Sequence, residues 1–188
     1  MLSGPSPCQP LGMHFREATA HDVAAIAGLH ADSWRRNYRG AYTDAFLDGD
    51  VFTNRLAVWT ERLTQSEPNH FTIVAEENEA VTGFAHTILD VDPTLGALLE
   101  NLHVTHDLKR NGIGSRLTEQ AAQALVDRRP SSSLYLTVLE QNKTAQAFYD
   151  ARGGRSIGRK LAGPFPGGGN AFVLTYVWPD PSKLIRRR

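Results

Sequence analysis

The sequence predicts a single α/β domain built on a mixed sheet, and three observations carry that prediction. A chain of 188 residues with 41% hydrophobic content is long enough to bury one core and does not require a second domain. Short β-rich runs, FTIVAEE, VTGFAHTILD, LLENLHV, LYLTVLE and NAFVLTYVW, are bounded by turn-forming residues. Helix-periodic stretches fall between several of these runs, so strand and helix alternate through the second half of the chain.

Taken in order, residues 1–12 (MLSGPSPCQPLG) have the composition of a disordered tail, and the folded domain is expected over 13–178. HFREAT reads as the first strand. Thr19 and Asp22 form a capping-box pattern ahead of DVAAIAGLH, where Ile26, Leu29 and Trp34 mark a buried stripe. A second helix is expected over 51–65, with Leu56, Trp59 and Leu63 on one side. FTIVAEE and VTGFAHTILD, joined by ENEA, form an antiparallel hairpin. In the next strand, 98–104, regular alternation would place Leu98, Glu100, Leu102 and Val104 on one face and Leu99, Asn101 and His103 on the other. A helix follows from Gly114 to about Arg129, with Leu117, Ala121, Ala124 and Leu125 inward and Pro130 ending it. LYLTVLE is a strand and NKTAQAFYDARGG a helix stopped by glycines. RSIGRK and NAFVLTYVW are the last strands, and 179–188 is a tail with a solvated RRR end.

Composition narrows the function. Twenty Lys plus Arg balance twenty Asp plus Glu, so the chain lacks the cationic field that phosphate-backbone binding needs, and nucleic acid is not an expected partner. No apolar run approaches the roughly 20 residues of a membrane span, and the N-terminus lacks a signal-peptide pattern. The single Cys8 cannot form an internal disulfide, which fits a reducing, cytoplasmic setting. It also stands in the tail, without a structured partner that would make it a nucleophile.

The stretch KRNGIGSRL, residues 109–117, carries the strongest chemical signal. It is not a Walker A loop, and Leu117 stands where a dinucleotide fingerprint needs a third glycine. What it offers is a strand, a cationic turn and a helix start whose first amides have no preceding carbonyl partners. Gly112 and Gly114 remove Cβ atoms from that start, and Lys109, Arg110 and Arg116 add positive charge, so a phosphate or pyrophosphate fits there. The bland alternative is that the glycines only make a tight turn.

Context favours the anion. KRNGIG followed by Ser115 and Arg116 resembles the Q/R-x-x-G-x-G/A phosphate motif of the GNAT superfamily of acyl-CoA N-acyltransferases, with Lys109 at the family's Arg or Gln. LTVLEQNKTAQAFYDARGG resembles its second motif, Asn-x-x-A-x-x-F/Y-Y before a glycine turn. The resemblance covers about residues 13–178. It implies a mostly antiparallel sheet with splayed strands 4 and 5, about four flanking helices, and acetyl-CoA as co-substrate. Leu102, His103, Val104, Lys109, Arg110, Asn111, Gly112, Ile113, Gly114, Ser115, Arg116, Asn142, Ala145, Phe148 and Tyr149 are the co-substrate-binding residues it implies. Asn142 also reads as a helix N-cap.

The reaction implied is direct attack of a primary amine on the thioester, in a ternary complex and without a covalent enzyme intermediate. An alkyl ammonium with a pKa of about 10 must lose a proton before it attacks. Glu100, expected between Leu98 and Leu102 on an apolar face, is the candidate base; the alternative is an edge-exposed or salt-bridged carboxylate. Tyr149 falls where the family places the tyrosine that protonates the departing thiolate, and the Val104 N–H would polarise the thioester carbonyl. His103 and His106 match no zinc signature and no metal is expected. For the acceptor, Trp34, Tyr38, Tyr42, Phe46 and Phe165 are candidate walls, with Arg35 or Arg39 a candidate carboxylate ligand. The same residues read equally well as a helix with a buried Trp and a solvated Arg face; the acceptor expected is a small amine or an amino-acid-like compound, antibiotics included. The resemblance also leaves open a peptide N-terminus as acceptor, a catalytically silent acyl-CoA sensor, and either a monomer or a homodimer.

Overall fold

A computed structural model describes residues 12–65 and 67–186 of the chain. The expected N-terminal tail, apart from Gly12, lies outside the described residues, and Cys8 with it. Seven strands form one sheet in the order β1-β2-β3-β4-β5-β7-β6. The strands are β1 (His14–Glu17), β2 (His70–Glu77), β3 (Ala80–Asp92), β4 (Gly96–Val104), β5 (Leu134–Leu139), β6 (Arg155–Ala162) and β7 (Ala171–Trp178). The helices are α1 (Val23–Asn37), α2 (Asp44–Asp48), α3 (Val51–Thr64), α4 (Ile113–Arg128) and α5 (Lys143–Asp150). Among the described residues no helix is long and apolar enough to cross a membrane.

Local signals account for most element starts. The Asp22 carboxylate accepts the Thr19 N–H at 2.7 Å, so the capping box opens a 3-10 turn that runs into α1. Arg16 of β1 holds the same carboxylate with two bonds, 2.8 and 2.9 Å, tying the first strand to the first helix. Asn78 and Glu79 join β2 to β3 with φ of 50° and 63°, the left-handed pair that a two-residue hairpin needs. The region between β1 and β2 holds one element more than expected, the short helix α2. The segment after Trp178, set apart in sequence as a tail, turns into a 3-10 helix, Pro181–Leu184, and Leu184 packs against the main core.

The sheet is covered on both faces. Leu117, Ala121 and Leu125 of α4 pack with Leu99, Leu134 and Leu136 on one. On the other, Ile26 and Ala27 of α1 and Trp59 of α3 pack on Val74 and Phe84. The fully buried Trp59 donates its indole N–H to His30 Nδ1 at 3.0 Å, which removes the cost of burying that donor.

Strand β4 departs from regular alternation. His86 of β3 faces Asn101 and Thr87 faces Leu99, so Glu100 is the extra residue of a β-bulge. Ala97 and Leu99 before the bulge, and Leu102 and Val104 after it, all face the α4 side. Glu100 and Asn101 both reach Arg62 of α3 on the opposite side. The expected grouping of Glu100 with Leu102 and Val104 is therefore wrong, because one inserted residue reverses every later side chain. Beyond the bulge the sheet also opens: β4 and β5 pair, in parallel, only at Ala97–Leu134 and Leu98–Tyr135.

Candidate active site

Where β4 and β5 part, a cavity of about 890 Å³ runs between the N-terminus of α4, the first turn of α5 and the last turns of α1. At the α4 end the chain makes a 3-10 turn, His106–Leu108, and then passes through left-handed conformations at Arg110 (φ 69°) and Gly112 (φ 81°). Only glycine adopts the second without strain, and it is the residue that caps α4. The first amide of the helix to find a backbone carbonyl is that of Arg116, bonded to Gly112 O at 3.0 Å. Among the described residues the amides of Ile113, Gly114 and Ser115 have no such partner, so the positive end of the helix dipole is open. A Cβ at Gly114 would touch Phe148 at 3.5 Å, an ordinary contact, so the protein's own packing does not demand glycine there.

Of the residues singled out in this loop, Lys109, Arg110, Gly112, Gly114 and Ser115 line the cavity. Three neighbours do not. Ile113 is buried in the main core, Asn111 is exposed, and Arg116 lies over the Phe15 ring (5.6 Å) beside Glu119 (3.6 Å). The cation the sequence missed is Arg152. Its guanidinium stacks on the Phe148 ring at 3.7 Å, hydrogen-bonds Ser115 Oγ, and lines the same wall. The signal was available: Phe148 and Arg152 stand four apart, one above the other at the end of a helix.

On the α5 side, Asn142 Oδ1 accepts the Ala145 N–H at 3.1 Å, the N-cap bond, while the residue also faces the cavity. Ala145, Phe148 and Tyr149 continue that wall. Tyr149 is 8% exposed, packed against Tyr176 and Trp178, and burial raises its phenol above the ordinary value of 10. Its hydroxyl has no hydrogen-bond partner among the described residues.

At the α1 end the wall is made by Ser33 and Asn37 of α1 and Tyr38 just after it, with Leu102, Val104, Glu100 and His103 of β4. Glu100 is ion-paired to Arg62 at 2.6 Å, so a guanidinium stands where an apolar flank was expected. Ser33 Oγ and His103 Nδ1 are 2.8 Å apart. Burial, with Lys109 and Arg55 nearby, pushes the His103 imidazole down to about 3, so the ring is neutral at physiological pH. Trp34 and Phe165 do not reach the cavity. Both stack on Tyr42, at 4.7 and 4.9 Å, in a separate cluster between α1, α2 and the β6–β7 loop. The candidate carboxylate ligands are occupied elsewhere: Arg39 is paired with Asp44 and Asp48, and Arg35 Nε donates to Leu47 O at 3.0 Å. Among the described residues no group of three or more His, Cys, Asp or Glu side chains could hold a metal ion.

Comparison with known proteins places this geometry. Residues 26–153 match the family model described as the acetyltransferase (GNAT) family. The chain is 27% identical over 138 residues to the uncharacterized N-acetyltransferase YuaI of Bacillus subtilis, covering 72% of this chain and 76% of that protein. It is 24% identical over 150 residues to the probable N-acetyltransferase Rv2775 of Mycobacterium tuberculosis, covering 77% and 80%. In fold it is similar to the PaiA N-acetyltransferase of Thermoplasma acidophilum, solved in complex with coenzyme A, at a TM-score of 0.66 and 16% identity over 89% of this chain and 99% of that one. With the motif loop on α4, the opened sheet and the matching model in agreement, the chain belongs to the acetyltransferase (GNAT) family and is an N-acetyltransferase of that family.

Proposed function

We propose that the protein transfers the acetyl group of acetyl-CoA to a small primary amine by direct attack. The observation that carries this reading is the continuity of one cavity from the open amides of α4 to Tyr149 and Glu100 across the gap between β4 and β5. The PaiA structure with bound coenzyme A supports the choice of donor.

In this reading the amides of Ile113, Gly114 and Ser115, with Lys109, Arg110 and Arg152, hold the pyrophosphate. The pantetheine arm enters the gap and meets the unpaired edge of β4 at Leu102 to Val104, with Asn142 and Ala145 on the facing side. The Val104 N–H polarises the thioester carbonyl. The amine nitrogen bonds to the carbonyl carbon, the C–S bond breaks, and the proton lost by the amine passes to Glu100, directly or through water. Tyr149 faces the leaving sulfur. Its phenol, raised by burial, holds its proton more tightly than a thiol whose ordinary pKa is about 8.5. Its role is therefore to donate a hydrogen bond to the developing thiolate.

Calorimetric titration with acetyl-CoA, followed by a thiol-release screen over amines, amino acids, aminoglycosides and peptides, tests the reading. Micromolar binding with release for one acceptor class is expected. No binding would reduce the 109–116 loop to a turn and remove the proposal. Binding without release from any class would leave a sensor.

A further inference from the structure

The bulge at Glu100 puts His103 on the same side of the sheet as Glu100, where regular alternation would have separated them. Glu100 and Asn101 reach Arg62 of α3, and the His103 ring packs on His30 of α1 and on Phe84, with centroids 4.6 and 5.2 Å apart. His103 is 8% exposed and lines the cavity.

Ser33 fixes the tautomer of this ring. The hydroxyls of Thr60, Thr64 and Thr118 each donate to the carbonyl four residues back in their own helix, at 2.8, 2.6 and 2.8 Å. The Ser33 hydroxyl makes no such bond. Its oxygen faces the Asn37 amide, whose Nδ2 donates to Ser33 O at 2.7 Å and lies 3.4 Å from Oγ. Among the described residues the acceptor left for the Ser33 proton is His103 Nδ1, at 2.8 Å. A neutral imidazole that accepts at Nδ1 carries its own proton on Nε2. His103 Nε2 makes no hydrogen bond among the described residues. Nor is it one of the polar atoms sealed without a partner, which are His30 Nε2, His86 Nε2 and Thr87 Oγ1. A neutral N–H donor, clamped from behind, therefore stands at the cavity wall.

A second donor is next to it on the strand. Thr105 gives its N–H to Thr82 O at 2.8 Å, toward β3. Backbone groups alternate in direction along an antiparallel pair, so the Val104 N–H turns away from β3, toward the gap that opens between β4 and β5. Lys109, on the same cavity wall, favours negative charge there.

We propose that His103 is a catalytic residue whose Nε2–H joins the Val104 N–H in holding the thioester oxygen as it becomes the oxyanion of the tetrahedral intermediate. Ser33 is the positioning residue that fixes the tautomer. In this step the amine nitrogen bonds to the carbonyl carbon and the C=O π pair moves onto oxygen; its return breaks the C–S bond. The imidazole proton stays on Nε2 throughout, so His103 is not the base. This inference rests on the acetyl-transfer reading above and adds a residue to it.

The test begins with the unmodified protein. Nitrogen NMR shifts of the His103 imidazole, assigned against His103→Gln, should show Nε2 protonated and Nδ1 bare, and a proton on Nδ1 overturns the proposal. Steady-state rates follow, with acetyl-CoA and the best acceptor of the amine, amino-acid, aminoglycoside and peptide panel. His103→Leu should lower kcat about a hundredfold, the loss expected for one oxyanion donor, while the acetyl-CoA Kd and the amine KM stay within about twofold. His103→Gln, whose amide also donates, should recover part of kcat. A ring that only packs would give the reverse order, with leucine tolerated better than glutamine, and would sink the idea. A raised amine KM with kcat kept would do the same. Should His103→Leu fail to fold, Ser33→Ala decides: the imidazole signals should move toward the Nδ1–H tautomer and kcat should fall, and unchanged signals with unchanged kcat overturn the proposal. Loss of this inference alone leaves acetyl transfer standing, whereas failure of the unmodified protein to bind or turn over acetyl-CoA removes both.

Discussion

At the α4 end of the cavity one uninterrupted stretch, Lys109 to Ser115, brings together a left-handed cap, unpartnered amides and two cations. At the α1 end the wall is assembled from Ser33 on α1 and Tyr38 just after it, Glu100 and His103 on β4, and Arg62 on α3 behind them. The first region works through backbone groups whose positions follow from local conformation. The second works through side chains that meet only because three distant segments pack together. In the proposed reading, donor recognition is thus written in consecutive residues, and acceptor recognition in a juxtaposition.

The sharpest way to break this contrast is Tyr149→Phe. Removing the hydroxyl should lower kcat by about a thousandfold, within the range for a lost proton or hydrogen-bond donor to the reacting group. The acetyl-CoA dissociation constant should hardly change, since the phosphate cradle is untouched. Stopped-flow turnover beside calorimetry would show it, and unchanged kcat would take Tyr149 out of the mechanism.

A second effect sits at the acceptor end and behind it. Burial pushes both His86 and His103 down to about 3 from an ordinary 6.5. In the unfolded chain these rings take up protons below about pH 6.5, while in the folded protein they stay neutral until about pH 3. Stability is therefore full above pH 6.5 and falls as pH drops through that window, by roughly 1 kcal/mol per pH unit for each ring. Melting temperatures should hold from pH 7.5 to about 6.5 and then decline steadily to pH 5, and a flat profile would show that the rings are hydrated rather than buried.

Gly112→Val tests the donor end directly. A β-branched residue at φ 81° costs about 1–2 kcal/mol, and displacing the first amides of α4 should weaken acetyl-CoA binding about tenfold, one pyrophosphate contact's worth. Gly114→Ala should be milder for stability, because its Cβ meets only ordinary contacts. The smallest effect is expected for Arg39→Ala. Its ion pairs with Asp44 and Asp48 are exposed and screened by solvent, so the melting temperature should hardly change, and KM for any acceptor should not move. A large rise in KM would return Arg39 to the acceptor site.

The comparison also explains which residues were legible. Thr19 with Asp22, Asn142, and the pair Gly112 and Gly114 could be read from sequence because each acts on a backbone group within three residues of itself. Arg55 and Arg152 were passed over because a cation on a helix is usually solvated. Arg55 meets Trp34 of another helix, which no local signal shows; Arg152 meets Phe148 four residues before it, but that spacing fits a solvated cation equally well. Trp34 and Phe165 were expected at the cavity because large aromatics between a strand and a helix suit a pocket wall. They suit an internal cluster equally well, and Tyr42 takes both. Glu100 was assigned to the wrong side because alternation carries no mark of a bulge.

The sequence by itself determined most elements, their order and the glycine-capped start of α4, since hydrophobic period, capping and glycine conformation act over a few residues. Only the tertiary structure decided where β4 breaks register, how far β4 and β5 stay paired, and which cation meets Glu100. Those outcomes depend on the sum of packing across the sheet and between α1 and α3. No single segment contains the information about what will stand opposite it.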